Sequence, residues 1–209
     1  MKKQILTLIT ILIIAVGNAQ EAKFGVKAGL NIATLSGDRY PDSQILPGFV
    51  IGGFAAVKLS EKFIFQPELL FSFQGTAYRN YYDQGYNDYY SQENMNLNYL
   101  LIPLMAKCYV AKKFSLEFGP QFGFLLAART NSFNYTTIGD GAYDTNSVNI
   151  KDQFKTFDFG LNVGAGYDFT DKWGINLRYN FGLNNIAQNE NTNYTSNNQV
   201  LSVTGSYKF

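Results

Sequence analysis

The sequence predicts an all-β chain, an eight-stranded antiparallel up-and-down transmembrane β-barrel, and three observations carry that prediction. The first is residues 157–183. Phe157, Phe159, Leu161, Val163, Ala165, Tyr167 and Phe169 alternate there with Asp158, Gly160, Asn162, Gly164, Gly166 and Asp168, and the same period of two resumes from Trp173 after Thr170-Asp171-Lys172. Arms of about a dozen residues around one turn make a hairpin, and they exceed the usual five or six residues of a soluble strand. The second is the spacing of the breaks. Short turns at 60–62, 111–113 and 170–172 alternate with long polar segments at 34–47, 74–96, 129–153 and 185–198, the asymmetry between ends that membrane barrels show. The third is the sorting of charge. The outward sets of all eight strands hold no Asp, Glu, Lys or Arg, whereas the inward sets hold Lys27, Lys58, Glu68, Lys107, Glu117, Asp158, Asp168, Arg178 and Lys208.

The strands follow in order. The first puts Phe24, Val26, Ala28, Leu30 and Ile32 outward against Gly25, Lys27, Gly29 and Asn31; the second puts Phe49, Ile51, Gly53, Ala55, Val57 and Leu59 outward. In the third, Phe63, Phe65, Pro67, Leu69, Phe71 and Phe73 face out. Pro67 has no ladder donor, so a bulge or a locally broken pair is expected there. Residues 78–94 show no apolar period and are expected as an exposed loop. The fourth strand is apolar on both faces. Its even set, Leu100 to Val110 with Cys108, is assigned to lipid because the odd set contains Lys107, which in hydrocarbon would cost about 2–4 kcal/mol. Leu116 to Leu126 face out in the fifth strand, residues 157–183 supply the sixth and seventh, and Leu201, Val203, Gly205, Tyr207 and Phe209 face out in the eighth.

Composition agrees with this reading. The 209 residues include 19 glycines, 15 tyrosines and 18 phenylalanines, residues that curve a barrel wall and line membrane interfaces. Beyond the N-terminus no apolar run approaches a spanning helix. Met1-Lys2-Lys3, the apolar run from Ile5 to Val16 and the small residues of Gly17-Asn18-Ala19 predict a signal peptide over 1–19, leaving one barrel domain over 20–209. The single Cys108 allows no internal disulfide. There is no histidine, which removes Ser-His-Asp, Cys-His and His-metal chemistry. The chain is therefore read as no enzyme, with no cofactor and no metal. Without Lys2 and Lys3 the formal charge moves from +1 to −1, which gives no reason to propose nucleic acid as a partner.

Asn18-Ala19-Gln20, residues 24–31 (FGVKAGLN), residues 97–104 (LNYLLIPL), Phe157-Asp158-Phe159-Gly160 and the terminal aromatic together resemble the small outer-membrane β-barrel family of Bacteroidetes, the porin-like or PorT-type proteins. The resemblance covers essentially the whole chain. It implies an outer-membrane location, contact with outer-membrane lipid and insertion by the barrel-assembly machinery reading the C-terminal strand and its Phe209. One departure is Leu101, where the family commonly has a glutamate.

Two sets of candidate residues follow from the register. Glu68, Lys107, Glu117, Asp168 and Arg178 lie at similar heights above the short turns and predict an interior ion-pair network. Such a network would plug an eight-stranded barrel, whose interior is just wide enough for side chains. The long segments carry 10 of the 15 tyrosines. Tyr78, Tyr81, Tyr82, Tyr86, Tyr89 and Tyr90 crowd the second and predict an interaction surface for an extracellular protein or glycan. A structural or surface-interaction protein is thus the first reading, and a narrow passive pore for small solutes the second. Both termini are expected in the periplasm.

Overall fold

A computed structural model describes residues 22–38, 43–82, 89–136, 142–188 and 195–209. Residues 1–19, expected as a signal peptide, and Tyr86 lie outside them. Among the described residues nine strands are present: β1 (Ala22–Ser36), β2 (Leu46–Lys58), β3 (Phe63–Tyr82), β4 (Tyr89–Tyr109), β5 (Phe114–Thr136), β6 (Ala142–Asn149), β7 (Phe157–Asp168), β8 (Trp173–Gly182) and β9 (Asn197–Lys208). Eight of them close an antiparallel ring in the order β1-β2-β3-β4-β5-β7-β8-β9, with β9 pairing back onto β1. β6 is not a ninth stave. It pairs with Arg129–Thr136 at the far end of β5, while β7 pairs with Phe114–Phe124 on the same edge. No helix of the described residues is long and apolar enough to cross a membrane.

Alternation fixes what faces where. Phe24, Leu30, Phe63, Leu116, Phe118, Trp173, Leu177 and Val203 are exposed on the outer wall, while their neighbours Lys27, Glu68, Lys107, Glu117 and Arg178 are buried. The even set of β4 faces out as expected, with Cys108 partly exposed on that wall and Lys107 inside. At Pro67 the β2–β3 ladder lapses between Phe54↔Glu68 and Val57↔Phe65 with no change of register, so the proline breaks a pair and makes no bulge. The bulge falls elsewhere. Between Asn98↔Ala127 and Tyr99↔Leu125 the β4–β5 register shifts, leaving Leu126 as the extra residue.

Two of the expected loops are strands. Residues 74–82 and 89–96 form the upper arms of β3 and β4, paired up to Tyr82↔Tyr89, and residues 129–153 contain the end of β5, all of β6 and a short 3-10 turn at Lys151–Gln153. The reason lies in what periodicity reports. Apolar alternation appears where one face of a strand meets lipid and the other the interior; residues 74–77 are buried in succession and residues 145–149 exposed in succession, so neither stretch carries that signal. The tyrosines and threonines here are good strand formers in their own right. Seven pairs above Gly75↔Asn96 raise this hairpin by roughly 20 Å at about 3.3 Å per residue. Gly75, with φ of +147°, marks the start of that extension, a conformation that glycine adopts without the steric cost of a side chain.

Candidate functional site

The interior is filled in two layers. In the layer nearer the short turns, Arg178 of β8 reaches across the ring to Glu68 of β3, four staves away on either path and so diametrically opposite. Arg178 Nη1 donates to Glu68 Oε2 at 2.9 Å and Nη2 to Oε1 at 3.0 Å, the two-pronged geometry that suits guanidinium and carboxylate. The same Nη2 donates to Glu117 Oε2 of β5 at 2.9 Å. Lys27 of β1 adds a bond to Glu68 Oε1 at 2.7 Å, and Lys107 of β4 pairs with Glu117 Oε1 at 2.9 Å. Gln66 and Asn176 complete the carboxylates by donating at 2.7 and 2.6 Å. The two glutamate side chains have 0% exposure and Arg178 has 7%, so the charges pair with one another, and Arg178 Nε alone of the guanidinium nitrogens has no partner. Gly166 makes room for this layer: a Cβ there would stand 2.8 Å from Glu117 Oε1 and 2.7 Å from Asn176 Nδ2.

Above it lies a band of amides and hydroxyls. Asn180 donates to Asn162 at 3.0 Å, Asn162 to Gln121 at 3.1 Å, and Asn31 to Ser72 at 3.0 Å. They border a cavity of about 30 Å³, room on the scale of a single water. The upper layer is apolar. Leu35, Leu97, Tyr99, Leu101 and Leu125 from the wall pack with Ile150, Phe154 and Ile186, which come from connecting segments folded into the mouth. A bridge between Phe154 and Ala187 and bonds from Lys155 N to Ile186 O and Gln188 N to Gln153 O hold that cover in place. At its edge Asp158 Oδ2 accepts from Asn198, whose amide also reaches the Tyr99 hydroxyl.

Of the five residues predicted for the network, Glu68, Lys107, Glu117 and Arg178 are brought together and Asp168 is not. Asp168 lies at the end of β7, where Lys208 pairs with it at 2.9 Å and the Tyr109 hydroxyl donates to it at 2.6 Å. Two residues of spacing from Gly166 put it below the layer. Lys27 takes the remaining place, and its signal was its inward position on β1, two staves from Glu68. The apolar cover was missed altogether, although Ile150, Phe154 and Ile186 stand out as isolated apolar residues in polar segments.

The tyrosine set also divides. Tyr81, Tyr82 and Tyr89 are strand residues, paired as Tyr81↔Tyr90 and Tyr82↔Tyr89. Tyr78 is half-buried against the apolar layer and does not belong to an exposed surface. Tyr90 is on the outer side, donating to Gln92 at 2.8 Å and meeting Phe133 edge-on with ring centroids 6.4 Å apart. Next to it Gln92, Asn94, Asn131, Phe133, Thr145 and Asn146 border a shallow groove of about 360 Å³ across β4, β5 and β6. No group of three His, Cys, Asp or Glu side chains able to hold a metal occurs among the described residues.

A family profile described as an outer membrane protein beta-barrel domain matches residues 18–188. Solved structures similar to the chain include the attachment invasion locus protein Ail of Yersinia pestis, at 10% identity over 91% of this chain and 100% of that one, with a TM-score of 0.43. Neisserial surface protein A is similar at 13% identity over 91% and 100%, TM-score 0.44. The outer membrane protein OprG from Pseudomonas aeruginosa is similar at 13% identity over 90% and 96%, TM-score 0.41. No curated protein matches the sequence.

Proposed function

The chain belongs to the outer membrane protein β-barrel family, and from that premise we propose that it is a closed barrel whose work is done by what it displays above the membrane. The observation that carries this reading is the diametric bond between Arg178 and Glu68, fully buried and shared with Glu117. Ions crossing such a barrel would have to break a paired charge layer and then an apolar one. A barrel filled in this way is a scaffold. Its most prominent displayed feature is the β3–β6 extension, and the outer groove beside Tyr90 and Phe133, bordered by amides and hydroxyls, is suited to an extracellular protein or glycan. The narrow-pore reading has no comparable support from the interior.

On this proposal residues 1–19 are a signal peptide, the short turns and both termini face the periplasm, and the extension faces outward. The lineage is that of the porin-like or PorT-type barrels of Bacteroidetes. Two measurements test it together. The refolded protein in planar bilayers should give no steady single-channel conductance, and cells displaying it should bind a labelled glycan array or host-cell surface more strongly than cells displaying a variant with residues 80–91 replaced by a Gly-Ser connection. Steady conductance in the intact protein would return the pore reading to first place.

A further inference from the structure

We propose that the outer wall across β2, β1, β9 and β8 carries a binding site for one anionic phospholipid, with an acyl chain seated in a groove and the headgroup phosphate on Lys172. The groove measures about 660 Å³ and is bordered by Val26, Ala28, Ile51, Trp173, Gly205 and Tyr207. Register explains its position. Ile175, Gly205, Ala28 and Ile51 stand side by side, two residues farther from the short turns than the row of Trp173, Tyr207 and Val26. Val26, Leu30, Ile51, Ile175 and Val203 project around the middle of that row, so Gly205 and Ala28 leave a dip between them.

Nothing within the wall demands the dip. At Gly29 a Cβ would stand 2.0 Å from the Val203 carbonyl oxygen, and at Gly119 2.0 Å from that of Leu104, so the barrel itself needs glycine at those two places. A Cβ at Gly205 would meet nothing nearer than the Ala28 oxygen at 3.9 Å, and its φ lies outside the left-handed region. A glycine inside a strand weakens it and often marks the close approach of another molecule. Here that molecule is lipid, since the outward face of a membrane barrel meets hydrocarbon.

Charge selects which lipid. Lys172 Nζ lies over the Tyr207 ring, 6.0 Å from its centroid, and Trp173 packs against the same outward ring with centroids 4.8 Å apart. The ammonium is thereby held on the lipid side of the turn, at the level where aromatic side chains mark a membrane interface. It takes part in none of the ion pairs among the described residues, and its neighbour Asp171 lines the barrel's interior at the short-turn end instead. A lysine ammonium meets phosphate as a point charge. The dip begins two residues up the wall, roughly 7 Å away, within reach of the first methylenes of a chain whose phosphate rests on Lys172. The proposal rests on the barrel's place in a bilayer and not on the display reading above.

Trp173 is the chain's one tryptophan and borders the groove, so its fluorescence reports what occupies it. The barrel is refolded into vesicles of mixed phosphatidylglycerol and phosphatidylcholine, one or the other brominated on its chains, and quenching is compared at low and moderate salt. Phosphatidylglycerol is expected to hold the site about fivefold more tightly than phosphatidylcholine, the preference one interfacial lysine gives, and salt should shrink that ratio. Lys172→Gln should bring the two lipids level, whereas Lys62→Gln, in the turn between β2 and β3, should not. Gly205→Leu fills the dip without a clash in the wall, and should at least halve the preference while the heat-modifiable gel shift shows the barrel folded. Equal quenching by the two lipids in the parent, an undiminished preference in Lys172→Gln or Gly205→Leu, or equal losses in the two lysine variants overturns the site. So does a Trp173 that neither lipid quenches in a chain that migrates as a dimer, because a second copy then covers the groove.

Discussion

The two layers of the interior close the same barrel by opposite chemistry. The lower one uses charge: three cations and two carboxylates with almost no exposure to solvent, each held by partners from other staves. The upper one uses leucine, isoleucine and aromatic side chains, three of which arrive on connecting segments. The difference lies in how each layer fails. A buried ion layer contributes little net stability when intact, because desolvation offsets most of the attraction, yet losing one partner is severe. An apolar layer contributes in proportion to the area it hides and fails gradually. The charged layer therefore specifies which staves stand opposite each other, and the apolar layer seals the mouth.

The comparison is sharpest at Arg178. Arg178→Ala leaves Glu68 and Glu117 facing each other with only Lys27 and Lys107 as counter-charges, and should cost about 3–5 kcal/mol in urea unfolding from detergent or bilayer. Replacing all five charges, Lys27, Glu68, Lys107, Glu117 and Arg178, together by methionine or leucine should recover most of that loss, because no buried charge is then left without a partner. If the single and the fivefold replacement were equally destabilising, the layer would be acting through packing and not charge.

Next comes the upper layer. Leu97→Ala, at a fully buried wall position, should cost about 2–5 kcal/mol by loss of burial plus the cavity left behind. Ile186→Ala should fall at the low end of that range, since its segment can settle inward. Neither should open a conducting path, because the charge layer lies below. Only a barrel lacking both, such as Arg178→Ala with Ile186→Ala, should show current, and current in either single variant would mean that one layer alone does the sealing.

A smaller effect belongs to the rim pair. Lys208→Ala removes the partner of Asp168 where side chains have 11% and 18% exposure and Tyr109 still donates. Water and the hydroxyl limit the loss to about 1 kcal/mol. The same unfolding experiment reads it, and a cost equal to that of Arg178→Ala would place the rim pair inside the network after all.

How much of this was legible depended on whether a strand meets lipid. Where it does, as in β7 and β8, alternation gave the faces residue by residue, and the inward positions of Glu68, Lys107, Glu117 and Arg178 followed. Height along the barrel was read by counting from the turns. That was good enough to gather four residues and too coarse to exclude Asp168, which lies at the strand end. What failed was whatever lies beyond the lipid. The upper arms of β3 to β6 carry no apolar–polar period to read, since residues 74–77 are buried in succession and residues 145–149 exposed in succession, and the cover formed by Ile150, Phe154 and Ile186 depends on where irregular segments fold. No local pattern in the sequence states that.

The smallest effect on stability should come from the β3–β4 tip, and it carries the largest functional claim. Residues 80–82 and 89–91 pair as a two-stranded ribbon above Arg79↔Gln92, remote from both layers. Replacing them with a short Gly-Ser connection removes ladder pairs that a two-stranded ribbon holds only marginally, and a longer flexible closure costs little. Unfolding should shift by no more than about 0.5 kcal/mol. The heat-modifiable gel shift should be unchanged, because the ring is closed by β1–β9 and β4–β5 below the cut. Binding to an extracellular partner should nevertheless fall sharply, since the cut removes Tyr90 and the ribbon edge beside Phe133. Phe133→Ala offers the finer version: it keeps the ribbon and removes one ring from the outer groove. If the shortened barrel folds and binds as the parent does, the extension is a solvated rim, and the contrast between a sealed interior and a working exterior loses its second half.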